Sequence, residues 1–379
     1  MAGRADKNRR SLSTKELMKN LVPQYIDQCI QCHRCMDVCP VTKGSFKINE
    51  LNDATKQGFD VPPEIQEFAF NCVQCGKCVP VCPANIRRDY MVRYIKFKLR
   101  EQKPWTYKRY LFIKGPNLGS LGRIAQKLFI SLKKISVRDL ACFFETAPLK
   151  KAEVLFYPGC YIYSKKTVRQ TLRLLDYIGC PYTVLGGVTS CCGAPHMLQG
   201  EFDSADHCLE LLYEKIKAID PKIVITACAE CYVAVAQIKT TYNEKFEVLS
   251  VVEYLQRNSS EFPNIKIRGK ILLHDSCRFS KDSPQGSAAR HAISTFGELG
   301  EAPSAQGPSC CYQWNHGCDQ GNTARRIAYL AEVKNVAPTL ACNCLTCYEE
   351  LKKLRTDVEV IDVLQLFTES LDNAQRKER

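Results

Sequence analysis

Past residue 150, short β-branched and aromatic runs alternate with stretches of helical period. EVLFYPGC, ending at Cys160, reads as a strand, and PYTVL at 181–185 reads as the next one. Between them, across 164–179, Val168, Leu172, Leu175 and Ile178 share one helical face. Alternating βα units of this kind predict a small, mostly parallel sheet with helices around it. The whole pattern then recurs. EVLFYPGC, SCCGAPH, KIVITACAEC and EVLSVVEYL are followed in the same order by KILLHDSC, SCCYQWNHG, TLACNCLTC and EVIDVLQLF. Corresponding cysteines are offset by 117, 119 and 116 positions, so one segment has been doubled. The second copy is expected to depart from the first by carrying a Gly- and Pro-rich loop, GEAPSAQGPS, in place of the strand before its paired cysteines.

Before residue 150 the pattern is different. Residues 87–150 hold sixteen Lys and Arg against four Asp and Glu, almost the whole of the net charge of +13. Cations and aromatics alternate there at roughly helical spacing, which predicts one or two amphipathic helices forming either a solvated face or a docking surface for an acidic partner or anionic lipid. No base-reading motif accompanies them, so nucleic acid is not expected as a partner. No window approaches 18 apolar residues, and the start, MAGRADKNRRSLSTKELMKN, is polar and basic without an apolar signal core. The expected location is cytoplasmic, or peripheral at the inner face of the membrane through a partner or the basic segment.

Eighteen of the 23 cysteines fall into four groups. Cys29, Cys32, Cys35 and Cys39 precede Pro40, and Cys72, Cys75, Cys78 and Cys82 precede Pro83. Both groups read C-x2-C-x2-C-x3-C-P, the run in which three thiolates hold one cubane and the fourth reaches the other. The expected ligand sets are therefore Cys29, Cys32, Cys35 and Cys82 for one [4Fe-4S] cluster, and Cys72, Cys75, Cys78 and Cys39 for a second. Zinc sites pair two C-x-x-C knuckles instead, and disulfide-rich chains are short and secreted. The other groups are five cysteines per repeat: Cys160, Cys191, Cys192, Cys228 and Cys231, then Cys277, Cys310, Cys311, Cys344 and Cys347. Five converging thiolates exceed the four corners of a cubane, so they need a bridging thiolate or a non-cubane cluster; zinc would leave one unused.

The paired C…CC(G)…C-x-x-C pattern resembles the cysteine-rich CCG domains of heterodisulfide reductase, and the double C-x2-C-x2-C-x3-C-P run resembles its ferredoxin-type subunit. The chain is similar to the fused form, and to iron-sulfur subunits of glycolate, lactate and glycerol-3-phosphate oxidising complexes. This resemblance implies that each set of five cysteines binds an unusual, non-cubane [4Fe-4S] cluster, one of which zinc replaces in some relatives, and that such clusters cleave a disulfide by binding its sulfurs at iron. It also implies redox partners: a flavoprotein, a cytochrome b, or a hydrogenase or dehydrogenase. The second repeat departs from the pattern, with Tyr312 at the position of Gly193, where close backbone approach to a cluster favours glycine.

The resulting expectation is an α+β chain containing α/β units: a helical bis-[4Fe-4S] ferredoxin-like domain (1–86), a basic helical linker (87–150), and two duplicated small α/β domains (151–262 and 263–379). Two functions are consistent with it, a catalytic oxidoreductase subunit and a non-catalytic conduit from a flavoprotein dehydrogenase to a quinone pool. Cys142, Cys180, Cys208, Cys318 and Cys342 read as small buried hydrophobes, with Cys318 and Cys342, close in sequence to second-repeat ligands, as the exceptions to test. His196, His274 and His316 flank the motifs, either as satisfied histidines or as proton donors to the centres. No G-x-G-x-x-G or G-x-x-x-x-G-K-[ST] run is present, so nucleotide chemistry belongs on another subunit.

Overall fold

Two four-stranded sheets, all parallel, follow a helical N-terminal unit. The structure is a computed structural model and describes residues 13–39, 41–42, 46–57, 60–72, 74–102, 149–159, 165–187, 190–262, 265–267, 269–279, 283–300 and 319–377.

The helical unit comprises α1 (Thr14–Asp27), α2 (Arg34–Asp37), α3 (Ile48–Gln57), α4 (Pro63–Asn71) and α5 (Arg88–Gln102). Ser13 and Glu16 form a capping box that starts α1. A further cap arrives from far along the chain, because Asp206 accepts the Thr14 backbone N–H at 2.9 Å. The first part of the basic segment forms α5. Val92, Ile95 and Leu99 of α5 lie in one core of the helical unit, and Met91, Tyr94 and Phe97 lie in the other, so this helix is part of the unit and not a tether. Its Lys96 is fully buried. The cation–apolar alternation that suggests a wet face instead serves a helix enclosed on nearly every side. The remainder of the basic segment, with Lys108 and Arg109, lies outside the described residues.

The first sheet contains β1 (Val154–Gly159), β2 (Tyr182–Gly186), β3 (Ile223–Thr226) and β4 (Glu247–Ser250), in the order β2-β1-β3-β4. Its helices are α6 (Lys165–Ile178), α7 (Ala194–Leu198), α8 (Phe202–Ile219), α9 (Ala229–Tyr242) and α10 (Val251–Arg257). The second sheet contains β5 (Lys270–His274), β6 (Glu298–Gly300), β7 (Thr339–Cys342) and β8 (Glu359–Asp362), in the matching order β6-β5-β7-β8. Around it lie α11 (Pro284–Phe296), α12 (Asp319–Lys334), α13 (Leu345–Lys352) and α14 (Val363–Lys377). The strand expected to be lost in the second repeat is present. It survives as the three-residue β6, whose Lys270–Glu298, Ile271–Leu299 and Leu272–Gly300 pairings put it where β2 lies in the first. A run this short ahead of a Gly/Pro-rich loop carries too little periodicity to be read from sequence.

Strand residues alternate between faces and are buried on both, as parallel sheets covered by helices require. Val154 and Phe156 of β1 face the same core as Ile271 and Leu273 of β5, while Leu155 and Tyr157 face a separate core over α8 and α9. The two sheets thus share one apolar interior, built with α6, α10, α11 and α14. The helical unit is joined just as closely. Phe97 of α5 stacks on Phe202 of α8 with ring centroids 5.2 Å apart. At Gly200 (φ +76°) a β-carbon would stand 2.5 Å from the Phe97 backbone nitrogen and 2.9 Å from the Arg93 carbonyl, so only glycine lets the two backbones meet.

Candidate iron-sulfur centres

The two C-x2-C-x2-C-x3-C-P runs fold into loops of the same backbone design. Gln31 and Gln74, each two residues after the first cysteine, are left-handed at φ 54° and 51°. His33 and Gly76, each following the second cysteine, are left-handed too, at 62° and 78°. Left-handed non-glycine residues cost about 1–3 kcal/mol each and persist where the surroundings over-determine them. Here they wind each loop around a cavity.

One cavity is lined by Cys29, Cys32 and Cys35 from the first loop and Cys82 from the end of the second. The other is lined by Cys72, Cys75 and Cys78 from the second loop and Cys39 from the end of the first, with Cys35 shared between the two. Among the described residues no three Cys, His, Asp or Glu side chains share a single metal-ion position. A cubane takes its thiolates one per iron corner, spread round a cavity. Burial pushes the Cys72 thiol up to about 12 and raises Cys75 and Cys78 as well. Cys32 is exposed. Cys29 is the exception: burial acts to raise its pKa, but hydrogen bonds from Asn52, the loop backbone and Arg88 outweigh it and lower the thiol. Such groups stabilise a sulfur that carries negative charge, as a cluster ligand does.

Charged side chains of α5 border these cavities, and the sequence reading missed them. Arg88 lines both cavities, and its Nη2 donates to Cys29 Sγ at 2.8 Å. Its Nε is buried and makes no hydrogen bond among the described residues, which suits a sulfide-bearing group in the cavity. Asp89 lines the second cavity and accepts from Arg87 and Arg93. Burial acts to raise its carboxyl, but Arg87 and Arg93 hold it below the usual carboxylate range. Burial lowers Lys96 to about 8, with the Cys72 thiolate pulling the other way. The only sequence signal for these residues is the basic cluster itself, which reads as surface.

In each sheet the order of strands reverses direction between its two central members, the point at which open α/β sheets form a crevice at the carboxyl ends. Cys228 caps the start of α9 just after β3, and Cys344 caps the start of α13 just after β7; Cys231 and Cys347 follow one turn in. The Cys192 and Cys231 sulfurs are 3.8 Å apart. Cys191 accepts the Gly193 N–H at 3.4 Å. Mutual contacts raise both thiols, Cys192 through Cys191 and Cys231 through Cys192 and Cys228. The end of β1 abuts them, since a β-carbon at Gly159 would stand 2.7 Å from Cys231 Sγ. Four of the five expected first-repeat cysteines therefore gather at one crevice. Cys160 lies outside the described residues, as do Cys310 and Cys311 of the second set. Cys277 lies beyond β5 and close enough to Cys75 of the helical unit to raise that thiol, after the larger effect of burial.

Helix α8 requires glycine at 193. With φ +75°, a β-carbon there would be 2.6 Å from the Ala205 carbonyl and 3.1 Å from Cys208. Cys208 and Cys342 are buried among apolar neighbours, Cys342 despite its closeness in sequence to the second-repeat ligands. His196 is buried, its Nδ1 hydrogen-bonded to Glu201, which also pairs with Arg100 of α5. His274 Nδ1 meets the Tyr329 hydroxyl at 2.9 Å. His316 lies outside the described residues.

A cavity of about 410 Å³ opens beside Cys192. Its wall takes Thr14 and Met18 from α1, Arg87 and Arg93 from the helical unit, Glu230 from α9 and Arg278 from the second repeat. All three parts of the chain meet there. Arg278 Nε donates to Glu230 at 2.8 Å, and that carboxylate keeps the guanidinium firmly charged.

Helical loops of this design beside cysteine-lined parallel sheets define an iron-sulfur protein. Residues 28–86 match the 4Fe-4S dicluster domain and residues 154–236 match the cysteine-rich domain, so the chain combines these two modules. It is related to one of the subunits of the dihydromethanophenazine:CoB–CoM heterodisulfide reductase of Methanosarcina barkeri, with 26% identity over 247 residues covering 58% of this chain and 59% of that one. The corresponding protein of Methanosarcina acetivorans is 27% identical over 248 residues, with the same shares covered. An uncharacterised iron-sulfur protein of Methanocaldococcus jannaschii is 26% identical over 306 residues, 75% of this chain and 60% of that one. The chain thus spans about three fifths of the length of these curated relatives. Among the described residues no helix is long and apolar enough to cross a membrane.

Proposed function

We propose that this chain is the iron-sulfur oxidoreductase subunit of a heterodisulfide reductase-like complex, passing electrons through two [4Fe-4S] cubanes to centres in the two repeats that reduce a disulfide or a similar acceptor. The observation that carries the proposal is the position of Cys192, in the wall of a cavity of about 410 Å³ reached by all three parts of the chain. Cys29, Cys32, Cys35 and Cys82 would hold one cubane, and Cys72, Cys75, Cys78 and Cys39 the other. Cys160, Cys191, Cys192, Cys228 and Cys231 would hold one non-cubane cluster, and Cys277, Cys310, Cys311, Cys344 and Cys347 a second. When bound, these groups supply one-electron steps, of which a disulfide requires two.

The chain's own residues position and enclose. Gln74 fastens the second loop to the first repeat, and the Cys75–Cys277 proximity brings the same loop to the second. Arg278, charged and mostly buried, offers a fixed cation to negative charge developing on a departing thiolate. We assign the units as a dicluster unit ending with α5 and two duplicated α/β repeats, for which the matching strand orders and the Cys228/Cys344 caps are the support. Partners would be a flavoprotein, a cytochrome b or a hydrogenase or dehydrogenase, with any membrane association at the inner face through one of them.

A second reading, a non-catalytic conduit between a flavoprotein dehydrogenase and a quinone pool, is favoured by one departure. Tyr312 stands where the first repeat needs Gly193. The experiment that separates the two is anaerobic turnover of Cys192→Ala protein with a low-potential donor, disulfides first and quinones second. Catalysis at this chain predicts loss of acceptor reduction with the ferredoxin-type clusters still reducible. Full activity of Cys192→Ala would leave the second repeat acting alone, and full activity of Cys311→Ala as well would place the chemistry on another subunit.

A further inference from the structure

The buried guanidinium of Arg88 has no place in the ligand sets, yet it lies between them. It is 5% exposed and lines both cysteine cavities, alongside Cys35, which also lines both. Three contacts fix it: Nη2 to Cys29 Sγ at 2.8 Å, Nη1 to Asn52 Oδ1 at 2.7 Å, and Nη1 to Met91 Sδ at 2.8 Å. Only the first of these reaches a group that can carry charge, and that group is a sulfur. Among the described residues Arg88 pairs with no carboxylate. Its neighbours Arg87 and Arg93 both bind Asp89, so the carboxylate on that stretch of α5 is already engaged. A buried cation without a counter-ion is costly, and charge on the cavity contents would offset that cost.

We infer that Arg88 is a positioning residue that sets the reduction potential of the cluster held by Cys29, Cys32, Cys35 and Cys82, raising it above that of the neighbouring cluster. Reduction adds negative charge to a group already surrounded by thiolates. A guanidinium hydrogen-bonded to one of those thiolates stabilises the reduced form more than the oxidised one, and does so strongly where water is excluded. Hydrogen bonds to cluster sulfurs and local charge are the recognised levers on such potentials. The second cavity receives less, because the guanidinium donates to Cys29 of the first set, while Asp89 lines the second cavity and, after burial and Cys72, acts against charge on Cys78.

The inference rests on the ligand assignment proposed above, and the test keeps the two apart. Full-length wild-type, Arg88→Gln and Arg88→Lys proteins are prepared anaerobically, their iron is counted, and each is titrated potentiometrically under electron paramagnetic resonance. Signals are assigned through Cys32→Ala and Cys75→Ala proteins. The Arg88→Gln substitution should shift the one-electron equilibrium of the Cys32-dependent signal at least ten-fold toward oxidised, about 59 mV lower, with a smaller change in the Cys75-dependent signal. Arg88→Lys, keeping the charge without the planar fork, should fall between. An Arg88→Gln protein with full iron and a wild-type potential overturns the inference. So does loss of that cluster in both variants, which would make Arg88 a tether of the loop. Wild-type protein without ferredoxin-type signals would instead overturn the ligand assignment.

Discussion

Gln74 Nε2 donates to the Leu198 carbonyl at 2.6 Å, while its Oε1 accepts from Arg93 Nε at 2.8 Å. One buried amide, on a left-handed residue inside a cysteine loop, therefore ties that loop to α5 and to the first repeat. Replacing it by Ala leaves the Leu198 carbonyl with only the longer contact from Lys96 Nζ at 3.4 Å, and leaves part of the buried Arg93 guanidinium unpaired at about 1–3 kcal/mol. Gln74→Ala should unfold at a lower denaturant midpoint and lose the iron of the second loop before that of the first, measured by iron release against guanidinium concentration.

The crossed lining of the two cavities predicts crossed damage. Cys39→Ala should impair the cluster held mainly by Cys72, Cys75 and Cys78 and spare the one beside Cys29, 10 positions away in sequence. Electron paramagnetic resonance of the reduced protein checks this; loss confined to the Cys29 loop would refute the crossed assignment.

Metal analysis tests the number of centres. Four four-iron clusters require about 16 iron atoms per chain. Anaerobic protein with about 8 iron and no zinc would leave the repeats without clusters, and about 12 iron with one zinc would divide them.

Lys96 lies in α5 with its Nζ 3.4 Å from the Leu198 carbonyl. Lys96→Glu places a carboxylate in a fully buried site built for a cation, a change costing several kcal/mol. The midpoint of thermal unfolding should drop by many degrees. Binding of the folded remainder to anionic vesicles should not depend on this residue.

Gly193→Ala meets the Ala205 carbonyl of α8 at 2.6 Å and also demands φ +75° of a residue with a side chain. The combined strain should cost about 2–3 kcal/mol or more. The loss should appear as lowered stability and as changed spectroscopy of the first-repeat centre, since Gly193 also donates to Cys191.

The spacing of cysteines is enough to group the ferredoxin-type thiols, because a C-x2-C-x2-C loop has few ways to turn. The repeated Cys-x-Gln-Cys at 29–32 and 72–75 also carries the left-handed glutamines, a signal visible in the letters once the backbone is known. Strands β1, β3, β5 and β7 are legible because each is a β-branched or aliphatic run ending near a cysteine. The three-residue β6 is not, because pairing with β5 rather than local period defines it. Arg88, Asp89 and Lys96 are illegible for a different reason. Charge in sequence is read as exposure, and only tertiary packing shows that α5 buries its charges beside sulfur.

The meeting of backbones at Gly200 bears on how electrons can travel. A carrier domain that swings between donor and acceptor needs a loose joint, and a joint where a peptide nitrogen leaves no room for a methyl group is not loose. The dicluster unit is built in as a fixture. On the proposed function, transfer from it to the repeats would proceed over distances set by packing, so its rate should be insensitive to solvent viscosity, and any step that does slow in viscous medium would belong to the arrival or departure of something outside the chain.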